Sequence, residues 1–147
     1  MSAPTRLIMP RDRAQDLIDK IVKMSKADGI TVTIDSGYQA DLRFAANQMS
    51  TAGGITRSQI VVDSAFGKRH AAATTNDVSD DSLRRTVEQS EALAKLSPED
   101  PETMPPLPAQ TYAPVSGYFE STADITPEER ARAALTALEP ARKAPDL

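Results

Sequence analysis

The sequence predicts an α+β fold: a two-layer domain built as helix, four-stranded antiparallel sheet and helix, followed by a Pro-rich linker and a C-terminal helix. Three observations predict it. The spacing of apolar residues changes from 3.6 to 2 at Gly29 and returns to 3.6 near Asn76. The period-2 segments are joined by short, Gly-bearing connections, which exclude the long crossovers that parallel strands require. From Pro98 onward the composition changes, and prolines crowd into a segment that cannot all enter a core.

The first periodic segment, "PRDRAQDLIDKIVKMSKADG", places Ala14, Leu17, Ile18, Ile21 and Ser25 on one helical face, while Asp16, Asp19, Lys20 and Lys23 fall elsewhere. Pro10 suits the helix entry, and Gly29 suits the left-handed position after its end. "ITVTIDSGY" alternates Ile30, Val32 and Ile34 with Thr31, Thr33 and Asp35, the pattern of a strand with one buried face. Ser36-Gly37 reads as a turn into a second strand, where Ala40, Leu42, Phe44 and Ala46 alternate with Asp41 and Arg43. Gly53-Gly54 reads as its break. "SQIVVDSAF" (58–66) is the third strand, and Gly67-Lys68 turns it into "RHAAATT", the fourth.

Ser79 is placed as the N-cap of the next helix, with Asp80 and Asp81 in its first turn and Leu83, Val87, Ser90 and Ala94 on one face. Residues 5–97 therefore form the expected domain, and residues 98–125 the Pro-rich linker. A further helix over 126–139 opens with Thr126 as N-cap, Pro127 as first residue and Glu129 as the reciprocal partner of a capping box. Ala133, Ala134, Ala137 and Leu138 share a side for which the rest of the chain offers little to pack on. That helix reads as the start of a second domain.

Bulk properties exclude several function classes. The chain has 147 residues, 39% of them hydrophobic, a formal charge of −4 and a pI near 5.0. The acidic balance speaks against general nucleic-acid binding. The absence of cysteine excludes disulfides and thiolate metal sites, and fits a reducing cytoplasm. No apolar run reaches the roughly 18 residues of a membrane span, and the N-terminus lacks the apolar stretch of a secretory signal. The expected chain is cytoplasmic, with neither nucleic acid nor membrane as partner.

Catalytic chemistry is hard to build from this inventory. His70 is the single histidine, and a catalytic zinc takes about three protein ligands. An Asp63–His70 pair across the last hairpin is conceivable, but a polar residue on the solvent face of a strand is the simpler reading. "TTND" is rich in hydroxyls without a base, and Asn76-Asp77 reads as a turn before a helix. The carboxylate pairs Asp80-Asp81, Glu99-Asp100 and Glu128-Glu129 sit at helix starts and in the linker. The glycines lack the strand–loop–helix order of a phosphate loop. The alanine run of "HAAATT" permits a close approach, and a helix of the same domain is the favoured neighbour. No catalytic, cofactor-binding or metal residue is assigned.

Three stretches, "DLRFAANQMSTAGG", "FGKRHAAATTNDVSDDSLRRTVEQSEALAKLSPEDPE" and "YFESTADITPEERARAA", resemble the N-terminal domain of the TldD/PmbA (TldD/TldE) metallopeptidases, a family also called modulators of DNA gyrase. The similarity runs in order from about Arg11 to Lys143. It implies a wall of an enclosed chamber in a dimer, guiding extended peptide substrates towards proteolysis. The family's zinc site is carried by a helix with a His-Glu pair and a second His, with a Cys further on. All of these lie downstream of the matching region, so none carries over to a residue of this sequence. The resemblance thus implies a non-catalytic fragment whose zinc belongs to a missing C-terminal domain, and whose partner is that domain or a full-length homologue in a homo- or heterodimer. A standalone binding or regulatory module pairing with a full-length relative is the alternative.

Overall fold

The computed structural model describes residues 9–105 and 107–144. The elements are α1 (Arg11–Met24), β1 (Gly29–Ala45), β2 (Gln48–Phe66), β3 (Arg69–Thr75), α2 (Asp80–Leu96), α3 (Glu120–Ala123) and α4 (Pro127–Lys143). The chain divides into two compact units. A core unit holds the described residues up to Tyr38 together with those from Thr56 to 105. A hairpin unit holds Gln39–Ile55 and the described residues from Leu107 onward.

The class, the antiparallel order and the bracketing helices are as the sequence predicts, but the sheet has three strands, in the order β1-β2-β3, and not four. The two expected breaks are not breaks. Gly37 has no left-handed backbone, so Ser36-Gly37 does not turn, and the strand runs on to Ala45. Gly53-Gly54 lie within β2. At Gly53 a Cβ would stand 3.4 Å from Asp41 Oδ1, so glycine there gives room to a neighbouring carboxylate rather than ending a strand. Likewise Gly29 opens β1, and α1 ends at Ser25.

The reversal occurs at Ala46-Asn47, where φ is 49° and 57°. Positive φ at both central residues of a two-residue loop is the geometry whose twist matches a right-twisted hairpin. Asn tolerates it; Ala does so at a cost of roughly 1–2 kcal/mol. The Gly67 turn (φ 60°) joins β2 to β3 as the sequence predicts. The strands then pair in a register running from Phe66↔Arg69 to Ile60↔Thr75.

In the core unit, period 2 on the strands and period 3.6 on the helices meet in one layer of apolar side chains. Leu17 and Ile21 of α1, Ile60 and Val62 of β2, and Leu83 and Val87 of α2 form the buried cluster, with Ile30, Val32 and Ile34 of β1 packed against it. Buried polar groups are satisfied locally. Ser90 Oγ donates to Val87 O at 2.9 Å, which leaves Ser64 Oγ to donate the 2.7 Å bond between the two hydroxyls. Glu91, on α2, accepts from Ser25 Oγ and Lys26 N and so holds the end of α1.

α2 opens through a chain of small caps. Thr75 Oγ1 accepts from Asp77 N, Asp77 accepts from the backbone N–H and hydroxyl of Ser79, and Ser79 Oγ accepts from Ser82 N. In the hairpin unit, α4 carries the capping box of Thr126 and Glu129 and continues through Pro140. Leu138 is buried, and Arg142 Nε donates to Asn47 O at 3.0 Å.

Two stability outcomes follow from this packing. Leu83→Ala removes a fully buried side chain and should cost about 2–5 kcal/mol in a urea titration, whereas Leu96→Ala, at an 83% exposed position, should cost under about 0.5 kcal/mol. Ala46→Gly relieves the left-handed strain and should raise stability by about 0.5–1 kcal/mol in the same titration. A loss of stability in Ala46→Gly would contradict the turn geometry.

Candidate functional site: the outer face of the sheet

Side chains alternate across the strands, so the odd positions of β2 and the even positions of β3 face away from the helices. His70, Ala72 and Thr74 are exposed on β3, with Asp63 half-exposed opposite Ala72 on β2. Across this face runs the chain that leaves α2. Asp100 N donates to Lys68 O at 2.9 Å, Arg69 donates to Ser97 O at 3.3 Å, and the Arg69 guanidinium lies 3.5 Å from Glu99. Glu102 N closes a turn on the Asp100 carboxylate. The basic "GKRH" and the acidic "SPED", distant in sequence, are thus partners in space.

An open cleft of about 380 Å³ lies between this strap and the sheet, lined by Gly29, Thr31, Asp63, His70, Asp100 and Met104 among others. The Asp63–His70 pair imagined from sequence is brought together at 3.8 Å on Nδ1, beyond hydrogen-bonding range. Asp100 approaches Nε2 from the other side, at 3.7 Å. Sequence reasoning missed Asp100 because it assigned residue 98 onward to a linker; an acidic run directly after a helix that packs beside a basic turn was the available signal.

This donor set does not fit a zinc ion. The two carboxylates address opposite nitrogens of one imidazole, so they cannot converge on one ion with it, and no thiolate exists in the sequence. Among the described residues no group of three or more His, Cys, Asp or Glu could hold a metal. The "TTND" hydroxyl of Thr75 is engaged in the α2 entry, and the carboxylate pairs stand at helix starts and in the strap. The hydrogen bonds that fasten the strap to the sheet are Asp100 N to Lys68 O and Arg69 to Ser97 O.

Comparison with known proteins agrees with the architecture. The family model described as PmbA/TldA metallopeptidase domain 1 matches residues 31–94, from β1 through α2. Residues 31–94 are thus similar to the first domain of the TldD/PmbA family. Among solved structures, TldE from Thermococcus kodakarensis is similar with a TM-score of 0.65 and 18% sequence identity, over 88% of this chain and 29% of that one. At that identity the likeness concerns the fold. The present chain spans less than a third of the length of that TldE chain. No curated protein sequence matches it. Among the described residues no helix is long and apolar enough to cross a membrane.

The strap should be acid-sensitive. The Asp100 carboxyl is held below the usual carboxylate range, chiefly by the Glu102 N–H and to a smaller extent by His70. A depressed carboxyl stabilises the fold above its unfolded value, and that contribution is lost as pH falls through the folded value. The protection factor of the Asp100 amide should therefore fall between about pH 5 and pH 2, while that of Ile60 in β2 holds longer. Parallel loss at both amides would mean that the strap is not a separate latch.

Proposed function

We propose that this chain is the non-catalytic N-terminal part of a TldD/PmbA-type zinc metallopeptidase that degrades unstructured peptides. On this reading it is scaffold and chamber wall, and the hydrolytic centre comes from another polypeptide segment. The observation that carries the reading is coverage: 88% of this chain aligns with TldE, yet that alignment takes up 29% of the TldE chain. The residue inventory supports it, since one imidazole and no thiolate are available for a catalytic metal.

The partner is the family's C-terminal metallopeptidase domain, or a full-length homologue in a homo- or heterodimer. The exposure of Phe44, Met49, Ile55, Tyr118, Phe119 and Leu135 in the hairpin unit is in keeping with this. On the same reading residues 98–125 connect the domains, and the helix from Thr126 begins the C-terminal one. The setting is cytoplasmic, and the substrate is an extended peptide. A second reading, an autonomous module that regulates a full-length relative, has in its favour that the core unit closes its own apolar cluster.

The test is to purify residues 1–147, add zinc, and measure metal affinity by calorimetry together with cleavage of an unstructured peptide. The expected outcome is no turnover and no submicromolar zinc binding by this chain alone. Metal-dependent turnover, or submicromolar zinc binding lost in His70→Ala, would overturn the scaffold reading. Inhibition of a full-length relative by the added chain would favour the regulatory module.

A further inference from the structure

β3 is an edge strand, since the sheet runs β1-β2-β3. The two-residue Gly67-Lys68 loop makes Phe66↔Arg69 a hydrogen-bonded pair, and such pairs alternate along an antiparallel ladder. Ser64↔Ala71, Val62↔Ala73 and Ile60↔Thr75 are therefore the other bonded pairs. The backbone N–H and C=O groups of His70, Ala72 and Thr74 then point away from β2, and they have no backbone partner among the described residues. All three residues are exposed. Natural edges are ordinarily blunted by a lysine, a proline, a bulge or a covering segment. Here the register runs without a bulge, and the strand "RHAAATT" has neither lysine nor proline. The strap takes the position just before it, where Asp100 N donates to Lys68 O at 2.9 Å.

We propose that this edge takes up an extended peptide segment as a fourth, antiparallel strand, with a basic residue of that segment opposite His70. The main-chain groups of His70, Ala72 and Thr74 supply the pairing, which is indifferent to the peptide's sequence. Charge supplies the preference. Residues directly opposite one another in an antiparallel pair point to the same face, with Cβ atoms about 4.5–5.5 Å apart. A side chain opposite His70 therefore stands on the outer face, where Asp100 lies 3.7 Å from Nε2 and Asp63 3.8 Å from Nδ1. Neither carboxylate is within hydrogen-bonding range of the imidazole, and the neighbouring Arg69 is already opposed by Glu99. A lysine or arginine there meets the Asp100 carboxylate. A second copy of β3 fits less well, because antiparallel pairing centred on Ala72 sets an uncharged Thr74 opposite His70. The inference rests on the extended-peptide reading above and adds to it a place on this chain and a charge preference.

The test has no hydrolytic step, so its failure leaves the scaffold reading standing. The intact 147-residue chain, labelled with 15N, is titrated with short blocked peptides of alternating valine and threonine that carry a central lysine or a central glutamate. The amides of His70, Ala72 and Thr74 should shift saturably and exchange more slowly with solvent. Those of Ala71 and Ala73, already bonded to β2, should change little. The lysine peptide should saturate at about fivefold lower concentration than the glutamate peptide. Asp100→Asn, which keeps an acceptor for the Glu102 N–H, should bring the two within about twofold. Ala72→Pro removes an edge donor and spares the ladder, so it should abolish the response. Methylation of the lysine peptide's backbone nitrogens should abolish it too, and keeps the test open should Ala72→Pro fail to fold. No saturable response, equal saturation by the lysine and glutamate peptides, or an undiminished response to the methylated peptide would overturn the proposal. Protection of the same amides without peptide, growing with chain concentration, would give the edge to a second copy and overturn it as well.

Discussion

A three-stranded sheet has one face that must be taken out of water, and here the close seating of α2 on β2 and β3 does it. β3 contributes Ala71 and Ala73 on that side, so the helix approaches with little in the way, and Ala73 pairs with Val62 across the ladder. The approach is close enough for Ser64 and Ser90 to bond across the layer boundary at 2.7 Å. Leu83 and Val87 then meet Ile60 and Val62, while α1 adds Leu17 and Ile21. The remaining features of the core unit serve this seating. Thr75, Asp77 and Ser79 fix where α2 starts, Glu91 ties it to α1, and Arg69 secures its last carbonyls.

Alternation and capping were legible in the sequence because they are local. Ser79, Thr126, Glu129 and the Gly67 turn are each fixed by residues within a few positions, and the structure puts them where the sequence does. The strand count was not legible, for a physical reason. Glycine permits a reversal without requiring one: Ser36-Gly37 reads as a turn and Gly53-Gly54 as a break, although the extended backbone suits them equally. The true reversal uses Ala46-Asn47, where the strain at Ala46 is sustained by the long pairing of β1 with β2 on either side. Propensity alone disfavours an alanine there, so tertiary pairing decided. The strap is hidden for a similar reason: prolines mark residues 98–105 as irregular, which says nothing of attachment, while Lys68, Arg69 and His70 hold Ser97 to Asp100 in place.

The stretches that resemble the TldD/PmbA family therefore have structural work that explains their residue types. "GKRH" and "SPED" form the strap, "TTND" opens α2, and the alanine run admits it. In the hairpin unit Phe44, Met49 and Ile55 are about half exposed or somewhat less, and Tyr118 and Phe119 more so. The core unit, by contrast, buries a continuous apolar cluster of Leu17, Ile21, Ile60, Val62, Leu83 and Val87.

The scaffold reading can be measured on the surface itself. The chain is combined with a separate polypeptide comprising the remaining part of a TldE-type protein, and hydrogen–deuterium exchange is followed residue by residue with and without it. The account predicts that Phe44, Met49, Ile55, Tyr118 and Phe119 become protected while Ile60 to Ser64, already buried, change little. Unchanged exchange across the hairpin unit in a verified complex would contradict it.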